Sequence, residues 1–250
     1  MDRLRGRVAL VTGAASGIGQ GIAVAFAREG AAAVIVVDRC TEERAAATLE
    51  GVAAAGAETL FLRTDVSDEA AVAAMADAAL ARFGRVDVLV NNAGVVSASL
   101  LETMTTAEWD RVLATNLRSV FLCTRALLGP MLERRDGRII TIASQLGQIG
   151  GVAAVHYSAS KAGVIGFTKA LAREVSDRGV LVNAIAPGPI ETPLLEGETE
   201  AWRSAKLAEL PIGRFGRVDE VTPTAVLLAS ADGSYYVGQT LGPNGGDVML

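Results

Sequence analysis

Tyr157 and Lys161 lie four residues apart in a stretch of helical character, so both side chains share one face. A phenol with a pKa near 10 is a poor base at neutral pH. A lysine ammonium about 4 Å away, at an effective permittivity near 20, offers roughly 4 kcal/mol. At about 1.36 kcal/mol per pKa unit, that lowers the phenol pKa by roughly two to three, before desolvation acts against it. Such a pair is a general acid/base poised near working pH. Ser144 ends the run just before and can hydrogen-bond a carbonyl or alcohol oxygen as its charge changes. Asn116, within a long helical stretch upstream, can anchor a water that relays protons from Lys161, and the same lysine can hold a ribose. Taken alone, Tyr and Lys at this spacing are commonplace on helices.

A second set of residues sits near the start of the chain. Thr12-Gly13-Ala14-Ala15-Ser16-Gly17-Ile18-Gly19 follows an apolar run and opens a helix. Glycines here let backbone amides approach a phosphate, and the helix N-terminus adds its positive dipole. The spacing is G-x-x-x-G-x-G rather than the common G-x-G-x-x-G, and a plain tight strand–helix turn is its ordinary alternative. Asp38 ends the second apolar run, 19 residues after Gly19. A carboxylate there accepts hydrogen bonds from both ribose hydroxyls of an adenosine and repels a 2′-phosphate, which favours NAD(H) over NADP(H). Arg39 follows at once and can either hold a 2′-phosphate or stack on adenine. Asp65-Val66 closes the third run, where Asp65 is either a partner for the adenine amino group or a solvated turn aspartate. Asn91-Asn92-Ala93-Gly94 closes the fourth, and its small and amide residues suit a cofactor lying across that edge.

These residues need elements to hold them. Arg7–Thr12, Ala33–Asp38, Thr59–Thr64, Val86–Asn91, Arg138–Ala143 and Val180–Ala186 read as strands covered on both faces, with a short seventh around Gly238–Gly242. Between them run helical patterns such as Ile18, Ile22, Phe26 and Val72, Met75, Ala79, Phe83, stopped by Gly30 and Gly84. Long helices are expected around Thr106–Arg134 and His156–Arg178. The alternation implies right-handed crossovers and a parallel, doubly wound α/β sheet in one domain, residues 1–250. One excursion, Pro187 to Pro211, breaks the rhythm and reads as a lid around 190–211. Leu194, Leu195, Trp202, Leu207 and Leu210 there either line an apolar pocket or pack the lid on the body.

Composition narrows the classes. In 250 residues, 50% are hydrophobic and 20% charged, which excludes disorder. Lys and Arg number 23 against 28 Asp and Glu, a net charge of −5, so neither a nucleic-acid surface nor an acidic membrane is an expected partner. No apolar run reaches the length of a membrane helix, and the start lacks a signal-peptide core, so a cytoplasmic location is expected. Two cysteines, Cys40 and Cys123, read as apolar packing, and a single histidine, His156, cannot build a multi-histidine metal site. His156 reads as an interface or rim residue, with substrate contact as the lesser reading.

Taken together in this order, the motifs resemble the short-chain dehydrogenase/reductase family over essentially the whole chain. The marks are Thr12–Gly19, Asn91–Gly94, Asn116, Ser144, Tyr157-Ser158-Ala159-Ser160-Lys161, and Asn183–Thr192 with Pro187-Gly188. The resemblance implies a Rossmann fold with a seven-stranded sheet and hydride transfer between nicotinamide and a carbinol or carbonyl carbon. It implies catalytic roles for Asn116, Ser144, Tyr157 and Lys161. It implies cofactor contacts from Gly13, Ser16, Gly17, Ile18, Gly19, Asp38, Arg39, Asp65, Val66, Asn92, Ala93 and Gly94, and from Pro187, Gly188, Ile190 and Thr192. Homodimers or homotetramers packed through the two long helices are also implied. The chain departs from the family at Asn244-Gly245-Gly246, where Asp-Gly-Gly is usual.

Residues 131–192 resemble bacterial 3-oxoacyl-acyl-carrier-protein reductases, with Arg135 and Arg173 at positions those enzymes use to dock the acidic carrier, or else plain surface arginines. Those enzymes generally prefer NADPH. Asp38 therefore tilts the reading to an NAD(H)-dependent oxidoreductase of secondary alcohols and ketones, with the 3-oxoacyl thioester reductase as the alternative. A non-catalytic dinucleotide-binding regulator would be expected to lose Tyr157 or Lys161, and an epimerase with bound NAD would need a longer chain.

Overall fold

The computed structural model describes residues 2–249. Seven parallel strands form one sheet in the order β3-β2-β1-β4-β5-β6-β7. They are β1 (Val8–Thr12), β2 (Ala33–Asp38), β3 (Glu58–Arg63), β4 (Val88–Asn91), β5 (Gly137–Ile142), β6 (Val180–Ile185) and β7 (Thr240–Leu241). Successive side chains of a strand point to opposite faces. Ala9 and Val11 therefore join a core with Ile22, Phe26, Val226 and Leu228, while Leu10 and Ile35 join a second with Met75, Leu127, Met131 and Val175. Both faces of the strands inside the sheet are covered, which is why they read as unbroken apolar runs, while β3 and β7 at its edges are only partly covered.

The first core is roofed by α1 (Gly17–Arg28), α2 (Glu42–Ala54) and α9 (Val218–Ala229), and the second by α3 (Glu69–Phe83), α5 (Ser119–Arg134) and α7 (Val155–Val175). Three shorter helices complete the chain: α4 (Thr106–Leu113), α6 (Leu146–Ile149) and α8 (Glu200–Glu209). No helix among the described residues is long and apolar enough to cross a membrane.

Strand order reverses between β1 and β4, so the crevice for a ligand opens at their carboxyl ends. The fourth strand starts at Val88 rather than Val86, because Asp87 turns its buried carboxylate to the Val8 N–H at 2.9 Å and to the Arg85 guanidinium at 2.6 Å. The expected single helix over Thr106–Arg134 is interrupted. Residues Ala114–Arg118 form a π-helical turn between α4 and α5. Cys123 is buried as expected, with its thiol pushed up to about 12 by burial. Cys40 is only half-buried, at the exposed strand end beyond Asp38, with its Sγ near the Thr41 carbonyl.

Candidate active site

Thr12 is the fastener of the glycine turn. Its Oγ1 accepts from the N–H groups of Asn92 (3.0 Å) and Ala93 (3.1 Å) and donates to the Val90 carbonyl. Asn92 returns the tie, donating its side-chain amide to the carbonyls of Thr12 and Gly13, both at 2.9 Å. Asn92 thus shapes the turn from beneath. The close approach demands glycine. Gly13 has φ +64, and a Cβ on it would lie 2.7 Å from the Ala93 Cα. A Cβ on Gly19 would lie 2.5 Å from the Asn92 amide nitrogen.

Beyond the turn, Ser16 caps α1 in extended conformation without a side-chain bond to the helix, and the first turn of α1 carries no acidic residue. Its hydroxyl and the N–H groups of Gly17, Ile18 and Gly19 are placed to take a phosphate. Gly17 faces Thr192, whose methyl would sit 3.4 Å from a Cβ there.

Asp38 is turned over the glycine loop. One carboxylate oxygen accepts from Ala15 N–H and the other from Cys40 N–H, each at 3.1 Å. Arg39 is exposed. Asp65 is exposed above the buried Val66, and its Oδ1 accepts from the Ser67 hydroxyl (2.6 Å) and N–H (2.9 Å). These bonds, helped least by the Arg39 charge, hold the Asp65 carboxyl below its ordinary range. The site therefore fits a dinucleotide: a cradle without Cβ atoms for phosphates, and a fixed acceptor at the ribose end.

The second half of the site is built on α7. Lys161 and Ser144 are buried, and Asn116 is 1% exposed. The Lys161 ammonium donates to the Ile142 carbonyl at 2.7 Å and stands 5.7 Å from the centre of the Tyr157 ring. Burial drives the Lys161 pKa down to about 8. Burial likewise pushes the Tyr157 phenol up, against a smaller downward effect from its hydrogen bond with Ser144. Desolvation, which the sequence reading set against the Lys161 charge, is the larger influence on the phenol here. The ammonium is committed to a carbonyl, so desolvation wins.

Asn116 joins the same group of side chains. The π-helical turn carries its amide to the segment after β4, where Oδ1 accepts from Val95 N–H (2.8 Å) and Nδ2 donates to the Val95 carbonyl (2.9 Å) and to Ser160 Oγ (3.2 Å). Its side-chain amide is thus held by protein partners on both sides. Ser160 then donates to the Tyr157 carbonyl at 2.7 Å. Gly94 lies against this cluster; a Cβ there would be 3.4 Å from Asn116 Oδ1 and 3.6 Å from Lys161 Nζ.

Pro187 and Gly188 leave β6 beneath the cleft. The Pro187 carbonyl accepts from Gln145 N–H and Gly188 N–H donates to the Pro243 carbonyl. Ile190 is buried, and Thr192 donates to the Ile190 carbonyl at 3.1 Å. Asn244, where the family usually has Asp, closes a turn of the chain end by accepting from Gly246 N–H and donating to the Val248 carbonyl. In the 190–211 excursion, Leu210 packs inward while Leu194 and Trp202 remain exposed. Lys206 of α8 pairs with Asp247 at 2.9 Å, which ties that helix to the chain end.

His156 is 0% exposed and bonded to Ser97, not at a rim. Sequence reasoning named Thr12 and Ser160 within their motifs without assigning them roles, and it missed the Ser97–Glu108 pair. The position of Thr12 directly before Gly13 was the one available signal. The others depend on contacts between distant segments.

A profile of the family described as short chain dehydrogenase matches residues 7–202. The 3-oxoacyl-(acyl-carrier-protein) reductase FabG of Escherichia coli (strain K12) is 42% identical over 245 residues, 98% of this chain and 98% of that protein. The hydroxy(phenyl)methyl-succinyl-CoA dehydrogenase subunit BbsD of Thauera aromatica is 40% identical over 243 residues, 97% of each chain. Among solved structures, a short-chain type dehydrogenase/reductase from Mycobacterium marinum superposes with a TM-score of 0.94 at 35% identity, over 99% of this chain and 97% of that one. Likeness of this extent places the chain in the short-chain dehydrogenase/reductase family, as an oxidoreductase acting on the CH–OH group of its donors.

Proposed function

We propose that the chain interconverts a 3-oxoacyl thioester and its 3-hydroxyacyl counterpart, with NAD(H) preferred over NADP(H). The observation that carries the substrate class is end-to-end similarity to relatives named for thioester substrates, one on an acyl carrier protein and one on coenzyme A. This reverses the order read from sequence, where a general secondary alcohol stood first. Exposed Arg135 and Arg173 are compatible with an acidic carrier. The cofactor preference rests on Asp38, whose carboxylate is fixed over the glycine turn by two backbone N–H groups where a 2′-phosphate would meet like charge.

Bound NAD(H) supplies or accepts the hydride. The chain's own residues manage the oxygen. Ser144 Oγ accepts from Leu146 N–H at 3.1 Å and stands close enough to the Tyr157 phenol to influence it, so two hydroxyls can serve one substrate oxygen. The half-buried Tyr157 phenol, raised by desolvation, is suited to donate its proton to a carbonyl oxygen as that oxygen gains charge. Lys161 holds a titratable proton at Nζ beside the ring and is the source of its replacement. The 190–211 segment acts as the lid. The active form is a cytoplasmic homodimer or homotetramer packed through α4, α5 and α7, a role supported by Phe121 standing 44% exposed on α5.

The test is initial-rate reduction of acetoacetyl-CoA with NADH and with NADPH. The proposal expects turnover, a higher kcat/KM with NADH, and a loss of at least about 100-fold in Tyr157→Phe. Asp38→Ser should raise the NADPH/NADH ratio of kcat/KM at least about tenfold. Tight NADH binding without thioester turnover would sink the substrate assignment, and a wild-type preference for NADPH would sink the cofactor assignment.

A further inference from the structure

The segment after β4 crosses α7 and is tied down at alternate residues. Val95 is held through its peptide by Asn116, and Ser99 donates its N–H to the Ala153 carbonyl at 2.8 Å. Between them Ser97 is held by side chains alone. Its Oγ lies 2.7 Å from Glu108 Oε1 on α4, 2.9 Å from His156 Nε2 on α7, and 3.4 Å from an Arg111 guanidinium nitrogen.

The protons of this group can be assigned by inventory. A serine hydroxyl has one proton, and a carboxylate can only accept, so that proton points at Glu108. The remaining lone pairs of Ser97 must accept, which places a proton on His156 Nε2. In a neutral ring with its proton on Nε2, Nδ1 carries a lone pair, and here it is buried without a partner among the described residues. An apolar side chain would fill the same space without leaving that orphan. The imidazole is thus retained for its one directional bond. That bond joins the residue immediately before Tyr157 to the segment that borders Gly94 and the catalytic cluster.

We propose that His156 is a positioning residue. Through Ser97 and Glu108 it fixes residues 95–99 on the first turn of α7, and so fixes the orientation of Tyr157 toward the substrate oxygen. The inference rests on Tyr157 being the proton donor, and it holds for any substrate the chain turns over.

Two measurements test it. The chain has one histidine, so imidazole 15N spectra of untagged protein need no assignment. The expected spectrum is that of the Nε2–H tautomer, shifted by Ser97→Ala. The Nδ1–H tautomer, or a spectrum that Ser97→Ala leaves unchanged, overturns the proposal without reference to any substrate. In kinetics, His156→Leu should lower kcat about tenfold while the NADH dissociation constant stays within about twofold. His156→Gln, whose amide can replace Nε2–H, should recover kcat to within about threefold of wild type, and Ser97→Ala should fall with His156→Leu. A full kcat in His156→Leu, or a Gln variant as slow as the Leu variant, overturns the role. Absence of thioester turnover in wild type would count against the substrate alone, since the tautomer still reads the network.

Discussion

Replacing Lys161 by Met should change how stability depends on pH. Lys161 is buried, and its pKa falls from 10.5 to about 8 on folding. A depression of roughly 2.5 at about 1.36 kcal/mol per unit corresponds to about 3 kcal/mol. The sign follows from which form the fold disfavours. Below pH 8 the folded protein carries a buried ammonium, so the whole penalty is present. Between pH 8 and 10.5 the folded state sheds the proton while the unfolded chain still binds it, and the penalty fades. Wild type should therefore gain about 2.5 kcal/mol relative to Lys161→Met between pH 7 and pH 10. Losing the bond to the Ile142 carbonyl, present at both pH values, largely cancels in the comparison. The three tyrosines and the other two lysines, Lys169 and Lys206, are common to both proteins. Urea titrations at the two pH values measure the change directly. In thermal scans it corresponds to roughly 5–10 °C for a chain of this size. A wild-type-minus-variant difference that is the same at both pH values, within about 0.5 kcal/mol, would refute the reasoning. The same substitution should abolish turnover, so a residue that strains the fold is one the reaction requires.

Three further outcomes are expected. Gly13→Ala places a Cβ 2.7 Å from the Ala93 Cα at φ +64. It should cost more than the about 1–2 kcal/mol of left-handed strain alone and weaken NADH binding at least about tenfold, read by urea midpoint and fluorescence titration. Asp87→Ala strips the partner from Val8 N–H and from the Arg85 and Arg134 guanidinium groups around a 0% exposed carboxylate, and should cost about 3–5 kcal/mol in chemical denaturation without altering KM for NADH. With the Tyr157 phenol raised and Lys161 as its proton source, carbonyl reduction should hold steady from pH 6 to 7 and fall as Lys161 loses its proton above about pH 8, while alcohol oxidation, which needs the phenolate, climbs with pH from 6 to 9. An oxidation rate that is level below pH 8 would contradict the raised phenol.

The sheet was legible because burial on both faces leaves an unmistakable trace. The Ala33–Asp38 run is β2 to the residue, and the other strands differ by one or two positions at an end. Gly13, Gly17 and Gly19 were legible for a related reason: a close backbone approach excludes side chains, and glycine records it. What stayed hidden was made between segments far apart in sequence. Asn92 and Thr12 are 80 residues apart, and Ser97 and His156 are 59. No local pattern encodes such meetings. The direction of the Lys161 ammonium was hidden too, since helix spacing fixes which face a side chain shares with Tyr157 but not which acceptor it finds. His156 looked peripheral because neighbours on a helix point apart. That geometry is right, but the other face of α7 is also covered, by α4 and the segment after β4.

The π-helical turn at Ala114–Arg118 has an evolutionary consequence. A helix advances about 100° per residue, so a turn with one surplus residue rotates everything on one side against the other. Downstream, Leu122, Cys123, Leu127 and Met131 keep their stripe against the sheet. Upstream, Glu108 and Val112 keep theirs toward α7 and the interior. The turn sets the register between these two stripes and carries Asn116 to Val95. Lineages carrying this turn should tolerate substitution on either flank far better than they tolerate the loss of a single codon. Deleting one residue between Ala114 and Arg118 would leave every other side chain in the protein unaltered, yet swing Asn116 away from Val95 and unfasten the roof of the active site.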